Sequence, residues 1–118
     1  ETASDDLYTT IGDYARFVIA VMNHDGLSDS IARQRFQYAT ELRDGGCGPE
    51  ALPPEVCPDG VGMGLGWMVF HYGDETVVPH SGSDDGEQTL VFFIPEQRRG
   101  LVIFTNSANG RKMFPLIA

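Results

Sequence analysis

Gln88-Thr89-Leu90-Val91-Phe92-Phe93-Ile94, then Pro95-Glu96-Gln97-Arg98-Arg99-Gly100, then Leu101-Val102-Ile103-Phe104-Thr105-Asn106, form two apolar runs around a polar turn that ends in glycine. β-Branched and aromatic residues on either side of a short turn predict an antiparallel strand pair. Both runs are apolar at odd and even positions alike, so they read as central strands covered on each face. Upstream, Leu65 to Tyr72 and Glu75 to His80 flank Gly73-Asp74, a hairpin turn pair. The expected fold class is therefore α+β, with an antiparallel sheet of about four strands over residues 61–106 and N-terminal helices packed on one face.

The helices fill residues 10–43. Thr10 followed by Asp13 has the form of a capping box, and Ile11, Tyr14, Ala15, Val18, Val21 and Met22 recur at helical spacing up to an exit at Asn23 to Gly26. Ser28, with Asp29 at the positive end of the dipole, starts a second helix expected to reach about Arg43, with the thinner apolar face Ile31, Tyr38 and Leu42. Residues 44–60 are loop by composition, and residues 107–118 start a C-terminal helix that stops after about two turns. Two helices cover one sheet face at most. The other face calls for something from outside the chain, the first sign of a partial domain.

One domain is all that 118 residues allow. Eight basic against 17 acidic residues give a net charge of −9, which disfavours nucleic acid as a partner. The longest apolar runs are far too short to span a membrane, and no basic amphipathic segment suggests lipid binding. Beginning at Glu1 with no signal peptide, the chain reads as a processed product or a piece of a longer protein. Cys47 and Cys57 lie in the Pro/Gly-rich loop with no second pair and no nearby His, so no zinc site is expected. They form either a local disulfide, which would imply an oxidising compartment, or two unpaired thiols.

Reactive residue types concentrate in Pro79-His80-Ser81-Gly82-Ser83-Asp84-Asp85-Gly86. A catalytic triad of near neighbours fails on geometry, because an extended backbone sends successive side chains to opposite faces. The Gly-x-Ser-x-Gly elbow is absent. Asp84, Asp85 and Glu87 lack calcium-loop spacing and read as an acidic rim. Trp67 reads as a core anchor, and His24 and His71 as surface or loop-edge residues.

Read in order, Leu7 to Phe17, Gly62-Met63-Gly64-Leu65-Gly66-Trp67, His80-Ser81-Gly82 with Gly86, and Phe93-Ile94-Pro95 to Phe104-Thr105-Asn106 resemble the C-terminal part of the serine β-lactamase and penicillin-binding-protein superfamily. The branch is that of class C β-lactamases, D-alanyl-D-alanine carboxypeptidases and related esterases. The resemblance places His80-Ser81-Gly82 at the family's Lys-Thr-Gly motif, for which many members have His-x-Gly. It implies that His80 projects a donor into the pocket, Ser81 bonds a substrate carboxylate, Gly82 admits the substrate backbone, and the Ser83 N–H is one of two oxyanion donors. No metal or cofactor is implied.

The family's Ser-x-x-Lys nucleophile motif is missing, because Lys112 is the sole lysine and Asn109 precedes it by three. The Tyr-x-Asn or Ser-x-Asn motif is missing too. The resemblance thus implies part of a serine hydrolase for a peptide, lactam or ester, inactive alone and completed by a missing N-terminal part or a second chain. The alternative is a stand-alone binding or dimerising module derived from that domain, possible as a homodimer. Family and cysteine pair together imply an extracytoplasmic, periplasmic or secreted location.

Overall fold

The computed structural model describes residues 7–42 and 56–117. Its centre is one antiparallel sheet of six strands in sequential order: β1 (Thr40–Glu41), β2 (Gly60–Met63), β3 (Met68–Tyr72), β4 (Glu75–Asp84), β5 (Glu87–Ile94) and β6 (Arg99–Thr105). From β2 onward, connections of two to four residues make each strand pair with the one before it, while β1 joins β2 across residues 42–59. Gly73 and Gly86 take positive φ in the two-residue turns before β4 and β5, a conformation glycine adopts without a Cβ penalty.

Helix α1 (Ile11–Asn23) starts as its sequence predicts. The Thr10 hydroxyl accepts the Asp13 N–H at 3.1 Å and donates to the Asp13 carboxylate at 2.8 Å. It ends at His24, which takes φ 64° while its N–H and that of Asp25 return to the Val21 and Ala20 carbonyls. Val18 and Val21 enter a core with Trp67, Val78, Val91 and Phe93, and Tyr14, Met22, Phe36 and Val102 pack around it. Each fully buried side chain of this size stabilises by roughly 1.5–3 kcal/mol.

The second helix is shorter than its sequence suggests. α2 spans Asp29–Arg35 and does not continue to Arg43. Tertiary contacts override local propensity here. The Arg35 carbonyl accepts the Leu65 N–H at 3.0 Å, and Phe36 meets the Phe93 ring edge-on at 5.6 Å. The Ala39 and Leu42 N–H groups then donate to the Met63 and Val61 carbonyls, each at 2.8 Å. Tyr38 lies across Gly60 and Gly62, where a Cβ on Gly62 would stand 2.4 Å from the ring. The chain therefore leaves the helix and joins the sheet as β1.

Two strands were not expected, β1 and the glycine-rich β2, which starts at the end of the expected loop. A further correction concerns β6. It lies at the margin of the sheet among the described residues, not at its centre. α1 lies on the face that carries Val78, Val91, Phe93 and Val102. The opposite face, with Leu90, Phe92, Leu101 and Ile103, is half-buried. A 3-10 turn (Gly110–Met113) leading into helix α3 (Phe114–Ile117) lies against the Thr105 end of that face. The tail thus turns helical as expected, and it supplies from within the chain part of a cover assigned to something outside. Cys47 and most of the expected loop lie outside the described residues.

Candidate functional site

His80, Ser81, Gly82 and Ser83 occupy the second half of β4, and all four are exposed. Their register with β5 is unbroken: His80 faces Val91, Ser81 faces Leu90, Gly82 faces Thr89 and Ser83 faces Gln88. The ladder between β4 and β3 stops at Val77. Beyond it, the edge of β4 turned away from β5 is unpaired among the described residues.

The main-chain direction of each residue follows from the turns. Two-residue loops make Tyr72 and Glu75, and likewise Asp84 and Glu87, hydrogen-bonded pairs. Alternation from both ends assigns the N–H and C=O of Val78, His80 and Gly82 to β5. Pro79, Ser81 and Ser83 then present their main chain to the free edge. Pro79, which lacks an N–H, falls where no ladder bond is forfeited. The Ser83 N–H is therefore a free-edge donor.

Side chains divide the other way. His80 stands on the α1 face, edge-on to the Trp67 indole at 6.0 Å between ring centroids. Trp67 is itself buried edge-on against Phe93 at 5.3 Å, so contiguous rings tie the imidazole to the core. Trp67 is the core anchor that its sequence context predicts, and it also supports His80. The glycine two residues beyond His80 shares that face. A Cβ on Gly82 would lie 2.6 Å from the Thr89 hydroxyl, so the cross-strand threonine already requires glycine there.

Alternation sends the Ser81 and Ser83 hydroxyls to the opposite face. The Ser83 hydroxyl accepts from the Gln88 side-chain amide at 2.8 Å, and the Gln88 carbonyl accepts the Thr105 hydroxyl at 3.0 Å. Gln88 is buried, so this chain of bonds satisfies it while fixing the outer end of the hairpin. A single ligand reaches both the His80 imidazole and the Ser81 residue only by sitting over the free edge. The four expected residues are thus contiguous, but their side chains are not convergent. Sequence reading missed Thr89 and Gln88, which are visible only once the register is known.

Asp84, Asp85 and Glu87 form an exposed acidic rim. No group of His, Cys, Asp and Glu able to hold a metal ion occurs among the described residues. No described helix is long and apolar enough to cross a membrane. His24 and His71 lie away from His80, around a separate cleft.

The family model described as beta-lactamase matches residues 1–117. The unguisins hydrolase UngD of Aspergillus violaceofuscus is 30% identical over 108 residues, which are 86% of this chain and 19% of that protein. The chain thus spans about a fifth of the length of this curated relative. No solved structure matches the chain.

Proposed function

The chain belongs to the β-lactamase family, and from that premise we propose that it forms one wall of a serine acyl-transfer hydrolase site. The observation that carries the proposal is the exposed half of β4, with a free main-chain edge and an imidazole braced by Trp67. An extended acyl substrate lies along that edge. The Ser83 N–H faces the oxygen that becomes negative in the tetrahedral intermediate, and His80 donates from the adjoining face. Gly82 leaves the room on that face that the cross-strand Thr89 hydroxyl occupies.

The nucleophile, its activating lysine and the second oxyanion donor come from residues that this sequence does not contain, so the 118-residue chain alone is inactive. Its completing partner is an N-terminal part of the domain. The exposed apolar residues Ile11, Phe17 and Ile19 on α1, with Leu65 and Phe104, support such a cover. The same residues favour the second reading, a binding module that covers them with another copy of itself. The substrate is a peptide, lactam or ester. The choice among the three stays open, and the relative named for unguisin hydrolysis supports only the hydrolase class. A Cys47 to Cys57 disulfide and a location outside the cytoplasm complete the proposal.

The test is hydrolysis of p-nitrophenyl esters and a chromogenic cephalosporin by the complete protein and its His80→Ala variant. The loss of one positioned donor is expected to lower kcat/KM by about 10²-fold. Equal rates for the two proteins would remove His80 from the site.

A further inference from the structure

The Ser83 N–H serves an oxyanion only while it stays aimed, since a displacement of about 1 Å costs about 10²-fold in rate. Ladder bonds do not hold it there. Alternation gives Gly82 and Asp84 their main-chain bonds to β5 and turns both main-chain groups of Ser83 to the free edge, where the ladder with β3 has stopped at Val77. Immediately beyond lies the turn, with Asp84, Asp85 and Glu87 exposed.

What holds Ser83 directly is its side chain. On the face opposite His80 its hydroxyl accepts from the Gln88 carboxamide at 2.8 Å, across a non-hydrogen-bonded pair, where facing side chains come closest. Gln88 is buried, whereas Leu90 and Phe92, the next positions of β5 on that face, are apolar. A buried amide is costly unless it is bonded, so packing alone would favour an apolar residue at this position too. The strand departs from that preference at the one residue that grips Ser83.

Gln88 is held in turn from β6. The Thr105 hydroxyl donates to the Gln88 carbonyl at 3.0 Å. Gly110 packs so closely on Thr105 that a Cβ there would overlap its hydroxyl, and the Gly110 N–H donates to the Ser107 carbonyl at 2.9 Å. A line of contacts thus runs from the C-terminal 3-10 turn across β6 and β5 to Ser83. Given the acyl-transfer reading of the β4 edge, on which this rests, we infer that Gln88 is a positioning residue for the oxyanion donor, keeping the Ser83 N–H on aim through the Ser83 hydroxyl.

An oxyanion contact forms only as the transition state is reached, so a loosened donor lowers kcat and spares KM. The test is p-nitrophenyl ester turnover by the complete protein, with circular dichroism checking that each variant is folded. In Gln88→Leu, which keeps bulk at a buried position, kcat is expected to fall about tenfold with KM unchanged. Ser83→Ala removes the same bond at an exposed position and should fall alike, and the double variant should fall no further than either single one. Turnover that needs His80 but keeps its kcat in Gln88→Leu would overturn the inference alone. So would a loss carried by KM, or losses that multiply in the double variant. Absent turnover, or turnover indifferent to His80→Ala, would overturn the acyl-transfer reading and the role of Gln88 with it.

Discussion

The His80 imidazole stands edge-on to the Trp67 indole, and Trp67 in turn is held by Phe93. Truncating Trp67 to alanine should cost about 3–5 kcal/mol by cavity formation and release His80 from its position. Urea unfolding measures the first effect, and kcat/KM of the complete protein the second. A phenylalanine at the same position should restore part of both. Gly110 offers a second residue-scale check, since a Cβ there would stand 1.8 Å from the Thr105 hydroxyl. Gly110→Ala should destabilise by about 1–3 kcal/mol through overpacking, read as a lower urea midpoint. Tyr14 lies against Phe17 and Phe104, and burial raises its phenol above the ordinary 10.0. A raised pKa means that the folded state holds the proton longer than the unfolded one. Its contribution is then intact below pH 10.0 and is lost as pH rises through the folded value. The alkaline limb of a stability profile should therefore flatten in Tyr14→Phe. At this scale Trp67 was legible as a core anchor, and His80 to Ser83 as one contiguous stretch whose role the proposed turnover assays test. Thr89 and Gln88 were not, because cross-strand partners depend on register and a one-residue slip would exchange the faces.

Among the elements, α1 was readable from end to end because its signals are local: Thr10 and Asp13 at the start, the spacing of Tyr14, Val18 and Val21, and the exit at His24. Replacing Thr10 by alanine should cost about 1 kcal/mol, visible as a lower urea midpoint. α2 was overextended because its end is set by distant residues. Tyr38 needs the bare backbone of Gly60 and Gly62, and the Leu65 N–H takes the Arg35 carbonyl. The same glycines concealed β2, since Gly-Val-Gly-Met is short and half of it is glycine, which is depleted in strands. β5 and β6 announced themselves through Leu90 to Ile94 and Leu101 to Phe104, yet two-sided apolarity does not say which strand lies outermost.

For the whole molecule, the question is what completes the site and covers Ile11, Phe17, Ile19, Leu65 and Phe104. Light scattering of the isolated chain divides the two readings: a stable dimer supports the self-pairing module, and a sticky or partly molten monomer supports an unfinished hydrolase domain. Under oxidising conditions Cys47 and Cys57 should take up alkylating agent only after reduction, which intact-mass spectrometry detects. The most direct measurement is p-nitrophenyl ester and chromogenic cephalosporin turnover by the purified 118-residue chain beside the complete protein. The account predicts no turnover by the chain and His80-dependent turnover by the complete protein. Enzyme-like rates from the chain alone, constant through further purification, would contradict it.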